Sequence, residues 1–390
     1  MSPHRVLVVG GTGGFGGHLI DGLLATTQLP IIIGARQAAR TEALAERLRA
    51  AHPGRVIEAT TLDVATVTAD DLRRLNVWCV ADMTGPFQNA QPRLAATAIA
   101  AGCHYVDIAD ARDFVANIVT LNDAAKAADV LVASGASSTP ALSHAVLDEL
   151  VKGWQRIDGI EVAIAPGNRQ ARGIALIRAI LARAGQPIRV FRNGATRNAM
   201  GWGLLTRKRL PGLGHRWLSV ADTPDLDLIS ARFKPQRDGL FFASLELSIM
   251  HLGLWMLCSL VKLRLLPSLV PLARPLQWVS ELLYPFGTDR GGMTVTADGI
   301  DAQGRAILAS WVLVASKGDG PNIPVLPSLA TIRALDAGTL KARGAMPCVG
   351  LLPLRALLDE FARFHIVTRT FAQPRHVFGR ALGQQFDVLP

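Results

Sequence analysis

A glycine-dense turn set between a strand and a helix constrains this chain more than any other feature. Arg5-Val6-Leu7-Val8-Val9 runs into Gly10-Gly11-Thr12-Gly13-Gly14-Phe15-Gly16-Gly17, and then into the helically spaced apolar residues of 18–24. A strand that reads as one continuous apolar run is buried on both faces, as in a parallel sheet. Glycines permit a tight turn and close backbone approach to a pyrophosphate. The next helix N-terminus offers free N–H groups and partial positive charge. Gly10, Gly13 and Gly16 fit the spacing G-x-x-G-x-x-G, and Gly11 and Gly14 permit other registers. A second apolar strand, 29–36, ends at Arg36. An NAD site places an acid for the ribose 2′-hydroxyl at such a strand end, about twenty residues past the glycines. Here the nearest following acid is Glu42. A guanidinium instead suits a 2′-phosphate, to which it donates two parallel charge-assisted hydrogen bonds. The pattern therefore favours NADP(H) over NAD.

With 390 residues, 49% of them hydrophobic, the chain has enough apolar material for two domains and does not read as disordered. Lys+Arg of 41 against Asp+Glu of 31 gives a net charge of +10, which calls for an anionic partner such as a phosphorylated cofactor or an acidic membrane surface. Nucleic acid is set aside, because only 2 tyrosines are present and no aromatic-basic stacking motif occurs. Cys79, Cys103, Cys258 and Cys348 lack any C-x-x-C spacing. They read as reduced thiols, with no disulfide and no metal site. Residues 1–9 have strand character rather than a charged-then-apolar signal pattern, so a cytoplasmic protein is expected.

Alternation continues with a helix over 41–51 and a strand over 55–61 that ends at Leu62-Asp63. Asp63 is placed at the adenine edge of a cofactor site or as the cap of the next helix. The strand Val77–Asp82 runs into Met83-Thr84-Gly85-Pro86-Phe87, a small-residue turn of the kind at which cofactor or substrate approaches an open parallel sheet. A helix over 92–101, a strand over 104–108, a helix over 114–128 and a strand over 130–133 come next. About six parallel strands alternating with helices make a doubly wound α/β sheet. Beyond residue 150, strands at 157–164, 293–300 and 306–315 with separated helices indicate a second, α+β domain.

Within it, 245–283 is strongly apolar. The uncharged run 247–261 falls short of the roughly twenty residues a bilayer span needs, and Pro267, Pro271 and Pro275 interrupt the second half of the segment. Such a segment fits a hairpin lying in a lipid interface, a cover over an apolar substrate cleft, or a core or dimer interface. Arg207, Lys208, Arg209, His215 and Arg216, with Trp202 and Trp217, point to contact with an anionic membrane surface.

Short-chain reductases need Tyr-x-x-x-Lys, whose lysine helps the phenol donate a proton. Tyr105 is followed four positions later by Ala109 and Tyr284 by Thr288, so that class is excluded. The chain resembles the saccharopine dehydrogenase-like oxidoreductases. The resemblance lies in Gly10 to Gly16, Gly34-Ala35-Arg36, Thr84 to Phe87, His104-Tyr105-Val106-Asp107 and Gly135-Ala136-Ser137-Ser138-Thr139-Pro140-Ala141-Leu142-Ser143. Asp289 to Met293 and Gly320 to Pro324 look like an uncharacterised bacterial branch.

The resemblance implies a Rossmann-type NADP domain (1–140), an inserted α+β domain covering the nicotinamide (141–341, with the apolar stretch 245–283) and a helical return segment (342–390). It implies that Gly10, Gly11, Thr12, Gly13, Gly14, Phe15 and Gly16 hold the pyrophosphate and Arg36 the 2′-phosphate. Thr84, Gly85, Pro86 and Phe87 would line the nicotinamide side. Relatives in this group include enoyl reductases of long-chain lipid synthesis and lipid-droplet-associated proteins, and the apolar 245–283 fits those better than an amino-acid enzyme.

The resulting expectation is an NADPH-dependent reductase of an apolar or lipid-like substrate, peripheral on the inner face of a membrane and capable of dimerising. The rivals are a non-catalytic NADP sensor or scaffold and a saccharopine-type amino-acid dehydrogenase. Tyr105, Asp107, Asp110 and Ser137 are candidate proton donors, but each also reads as a strand-end or cap residue, so no catalytic residue is assigned.

Overall fold

The computed structural model describes residues 4–170 and 173–374. It divides into two compact units, the first formed by Met1–Ala145, Arg172–Ala179 and Pro321–Arg363, the second by Val146–Ala171, Ile180–Gly320 and Phe364–Pro390.

The first unit begins with β1 (Arg5–Val9), α1 (Gly14–Thr26), β2 (Ile31–Ala35), α2 (Ala38–Ala51), β3 (Ile57–Thr61), α3 (Ala69–Arg74) and β4 (Val77–Asp82). It continues through α4 (Arg93–Ala100), β5 (His104–Asp107), α5 (Arg112–Asn117), α6 (Asn122–Ala127) and β6 (Leu131–Ser134), and α7 (Ser143–Leu150) comes next. All strand pairings are parallel, in the order β6-β5-β4-β1-β2-β3. β1 is flanked by β4 on one side and β2 on the other, so the chain reverses direction across the sheet between β1 and β4. Leu7, Ile32, Val80, Tyr105 and Val132 form one face of the core beneath the helices.

The helix expected over 114–128 breaks into α5, a 3₁₀ turn at Ile118–Leu121 and α6. The β-branched run Ile118-Val119-Thr120 crowds the preceding helical turn at that point. α3 carries a full capping box, Thr68 accepting from Asp71 N while Asp71 accepts from the Thr68 backbone.

The second unit holds β7 (Arg156–Ala165), α8 (Ile174–Arg183, whose first residues belong to the first unit), β8 (Pro187–Arg192), β9 (Ala195–Met200), β10 (Thr206–Leu210) and β11 (Gly214–Val220). It continues with α9 (Asp225–Phe233), β12 (Asp238–Ala243), α10 (Ser248–Lys262), α11 (Ala273–Leu282), β13 (Gly291–Ile300) and β14 (Ala306–Ala315).

The chain then forms α12 (Leu326–Asp336), β15 (Gly344–Pro347) and α13 (Leu354–Phe361) of the first unit, and β16 (Ile366–Pro374) of the second. β15 adds a seventh parallel strand beside β6, where Asn122 Oδ1 accepts from Ala345 N at 3.1 Å. The described part of 342–390 is thus not helical throughout, as the sequence reading expects. Val367-Thr368-Arg369-Thr370-Phe371 is β-branched and aromatic, and it joins a sheet; 375–390 lie outside the described residues. The second sheet runs β10-β11-β12-β7-β13-β14-β16 and is antiparallel except for β12 on β7.

Candidate functional site

In an open parallel sheet, ligands enter the crevice outside the carboxyl ends of the strands where the order reverses. Here that point is flanked by the glycine turn after β1 and by Met83-Thr84-Gly85 after β4. Gly10 has φ +77°, and a Cβ on it would stand 3.1 Å from Met83 O and 3.2 Å from the Thr84 methyl. A Cβ on Gly16 would lie 2.3 Å from Gly10 O, so only glycine lets α1 start against the turn. These contacts fix the register as Gly10-x-x-Gly13-x-x-Gly16, with Gly13 as the N-cap of α1. Gly11 is buried, whereas Gly13 and Gly14 are exposed and Thr12 and Phe15 half-buried. The first intrahelical bond runs from Gly17 N to Gly13 O at 2.9 Å. The N–H groups of residues 14–16 therefore have no helical partner, and that is what an anionic diphosphate requires.

Arg36 follows β2 directly. It is exposed and forms no ion pair among the described residues. Sequence reasoning missed Arg40, on the first turn of α2, whose Nη2 donates to Thr12 O at 3.1 Å. It brings a second guanidinium to the glycine turn, and its signal was its place one helical turn beyond Arg36. Asp63 caps no helix: its Oδ1 accepts from Ala65 N at 2.9 Å in a local turn, and the cap of α3 is Thr68.

The four residues after Met83 separate. Thr84 is half-buried, Gly85 and Pro86 are exposed, and Phe87 turns inward against Phe114 at 5.0 Å between ring centroids. Thr84 is anchored by Asp82, whose Oδ1 accepts from Thr84 N at 3.0 Å and from Thr84 Oγ1 at 2.5 Å. Tyr105 Oη donates to Asp82 Oδ2 at 3.1 Å. Asp107 Oδ1 accepts from Ala109 N at 2.9 Å, Gly135 N at 2.7 Å and Ser134 Oγ at 3.0 Å. Burial raises the Asp82 carboxyl above its ordinary range and lifts Asp107 to about 7. The buried Tyr105 phenol is pushed well above its usual value by desolvation and the adjacent carboxylates. Desolvation also raises Asp110, against a bond from Gln88 Nε2 at 3.1 Å. Ser137 is buried. Asp82 escaped the sequence reading; an acid closing an otherwise apolar strand was its signal.

In the second unit, Ser219 Oγ lies 2.9 Å from His251 Nε2. His251 Nδ1 accepts from Leu245 N, so the ring proton sits on Nε2 and the serine accepts. That is the reverse of what nucleophile activation needs, and burial lowers His251 to about 4. The pair seats α10 on β11. Glu246, just before α10, accepts from Asn168 N at 2.6 Å, Thr288 N at 2.8 Å and Thr288 Oγ1 at 2.7 Å, while Asn168 Nδ2 donates to Leu283 O at 2.9 Å. Both ends of the 247–287 excursion are clasped by this node.

The basic cluster expected to face a membrane is largely engaged elsewhere. Lys208 pairs with Glu161 at 2.5 Å, Arg216 with Glu246 at 3.2 Å, and Arg207 lies over the Trp217 ring. Trp202 is buried. Besides the polar Ser248, Lys262, Arg274 and Glu281, α10 and α11 expose many large apolar side chains. Of the 14 large hydrophobic side chains exposed among the described residues, 10 fall between Ile249 and Phe286. No described helix is long and apolar enough to cross a membrane. No His, Cys, Asp and Glu cluster among the described residues would hold a metal ion, and the four cysteines are buried and free.

Sheet order, glycine cradle and strand-end arginine together define a dinucleotide-binding α/β protein. Residues 6–148 match the family model described as Saccharopine dehydrogenase NADP binding domain. This region is accordingly of the saccharopine dehydrogenase-like type, and NADP is its cofactor. Apo saccharopine dehydrogenase (L-Glu forming) from Saccharomyces cerevisiae is similar in fold, with a TM-score of 0.64 at 13% identity over 94% of this chain and 100% of that one. A probable dehydrogenase from Thermotoga maritima aligns over 92% of this chain and 95% of its own at 13% identity, with a TM-score of 0.44. No curated protein matches the chain.

Proposed function

We propose that the protein is an NADPH-dependent reductase of an apolar or lipid-like substrate drawn from an anionic membrane surface, on which the α10–α11 segment rests. The reading assigns the diphosphate to Gly10, Gly11, Thr12, Gly13 and Gly16 with the N–H groups of Gly14 and Phe15, and the 2′-phosphate to Arg36 assisted by Arg40. Thr84, Gly85 and Pro86 take the nicotinamide side, with Phe87 supporting their turn from beneath. When bound, the nicotinamide supplies the hydride; the chain supplies position, electrostatics and exclusion of water.

The observation that carries the membrane part is the concentration of exposed apolar side chains in 249–286, among which Lys262, Arg264 and Arg274 are exposed cations. An apolar face rimmed by cations is what a peripheral helix needs at an anionic leaflet. α10 itself buries His251, Leu254, Cys258 and Val261 on one stripe and exposes Ile249, Met256 and Leu260 away from it.

Flotation of the full chain with phosphatidylcholine vesicles, with and without phosphatidylserine, tests this reading. Wild type should float with the anionic vesicles and less so at raised salt. Met256→Glu/Trp278→Glu should stay at the bottom while still binding NADPH. Equal behaviour of wild type and variant returns the segment to another role.

A further inference from the structure

Asp82 and Asp107 occupy paired positions at the ends of β4 and β5, which places them on one side of the sheet about 5 Å apart. They are 4% and 0% exposed. Among the described residues no arginine, lysine or histidine forms an ion pair with either; the groups facing them are Tyr105, Thr84, Ser134 and, beyond β15, Cys348. Asp107 Oδ1 is saturated by three donors while its Oδ2 is buried without any hydrogen-bond partner. Two carboxylates this close, buried and without an ion-paired cation among the described residues, do not both ionise at neutral pH. The pair therefore retains a proton.

That proton has an outlet. Asp82 Oδ1 lies 2.5 Å from Thr84 Oγ1. In this contact the ionised carboxylate accepts from the hydroxyl, and the protonated carboxyl donates to it, freeing the hydroxyl proton to turn outward. Thr84 is half-buried at the switch point, with its methyl against the Gly10 turn. Every other hydrogen-bonded member of the network is buried.

We propose that Thr84 is the proton donor of this site and that Asp82, held in place by Tyr105, refills it. The assignment rests on the reductase reading above. As a substrate double bond receives hydride at carbon, its electron pair moves to the neighbouring atom, which takes the Thr84 Oγ proton. Thr84 Oγ takes the Asp82 proton in turn. The resulting Asp82 carboxylate is stabilised by Tyr105 Oη and the Thr84 N–H, both already in place, and after product leaves it regains a proton from water through Thr84. This supplies the step for which Tyr-x-x-x-Lys is missing.

Infrared spectroscopy of the full chain labelled with carboxyl-¹³C aspartate, with and without NADPH, tests the store directly. A protonated-carboxyl band should be present at pH 7, lose a component in Asp82→Asn, shift in Thr84→Val and return in Thr84→Ser. Absence of any protonated aspartate at pH 7, or a band indifferent to Thr84→Val, overturns the proposal. With trans-2-decenal as the probe acceptor, Thr84→Val should lower kcat roughly 100-fold with KM little changed, and Thr84→Ser should recover most of the rate. Full activity in Thr84→Val overturns the donor role. If wild type fails to oxidise NADPH with this probe, the reductase reading fails for that substrate class, while the infrared result decides the proton store on its own.

Discussion

At the ends of β4 and β5 the first unit buries two carboxylates that form no ion pair among the described residues, whereas from α10 to Phe286 the second unit leaves methionine, tryptophan, leucine and phenylalanine side chains in water. Each arrangement costs folding free energy that ordinary partitioning would avoid. In the first, backbone and hydroxyl donors are aimed at the carboxylates, so the cost is partly offset and the loops after β4 and β6 are fixed in place. In the second the apolar side chains stay exposed among the described residues, although the Glu246 and Asn168 node clasps the base of the segment. A buried charge held by donors points inward to chemistry, and an exposed apolar face on a clasped excursion points outward to a partner.

The comparison is broken most severely at the glycine turn, because the first unit's logic depends on backbone approach there. Gly16→Val should unfold the α1 entrance or abolish NADPH binding, since its Cβ would meet the Gly10 carbonyl oxygen. Thermal denaturation with and without NADPH should show a loss above roughly 3 kcal/mol, the range of severe overpacking and strain.

Asp107 gives the next effect. Its carboxyl is raised to about 7 by burial from about 3.9 in the unfolded chain, so the folded state holds the proton more tightly. The associated stability is fully present below about pH 4 and is lost as pH rises through about 7; Asp82 shifts in the same direction. Asp107→Asn keeps an acceptor for Ala109, Gly135 and Ser134, so it should flatten denaturant midpoints between pH 4 and 8. Asp107→Ala strands those donors and should cost about 3 kcal/mol across that range. A wild-type profile that rises with pH over this interval would contradict the assignment.

Arg36→Ala should weaken NADPH binding by about 2 kcal/mol, the size of a lost charge-assisted bond, and hardly alter NADH binding; titration of cofactor fluorescence separates the two. Equal losses would move the 2′-phosphate elsewhere, and Arg40→Ala would then be the variant to measure.

Much of the first unit was legible because its information is local. A buried parallel strand, a glycine turn and a helix face are each written in consecutive residues, and β1-α1-β2 with Arg36 at its end is read from them. β15 was not legible: Gly344-Ala345-Met346-Pro347 has little strand propensity and is held by Asn122 and β6, far away in sequence. The proximity of Asp82 and Asp107 is a matter of register, and register is invisible until strands pair. The same holds for Lys208 and Arg216, whose partners Glu161 and Glu246 lie 47 and 30 residues away. In 247–261 the nearly uniform apolar composition hides which stripe faces inward, so Trp255 and Leu257 look as suited to contacting lipid as Met256 does.

The structure distinguishes those stripes, and the distinction sets the smallest effect. Met256 and Trp278 are exposed, 63% and 64%, whereas Trp255 and Leu257 are half-buried. Met256→Glu/Trp278→Glu should leave the denaturation midpoint within about 0.5 kcal/mol of wild type, as for other surface changes. Trp255→Glu/Leu257→Glu removes partly buried apolar area and places charge in it, so it should destabilise by at least about 1–2 kcal/mol, the lower end for such burial. Chemical denaturation of the two double variants checks this. The comparison turns on the difference between them: if both destabilise alike, α10 is covered on all sides and the exposed face is no surface for a partner. If only the half-buried pair does, the face is free to carry charge without disturbing the fold, and any loss of vesicle binding in Met256→Glu/Trp278→Glu belongs to the interface rather than to stability.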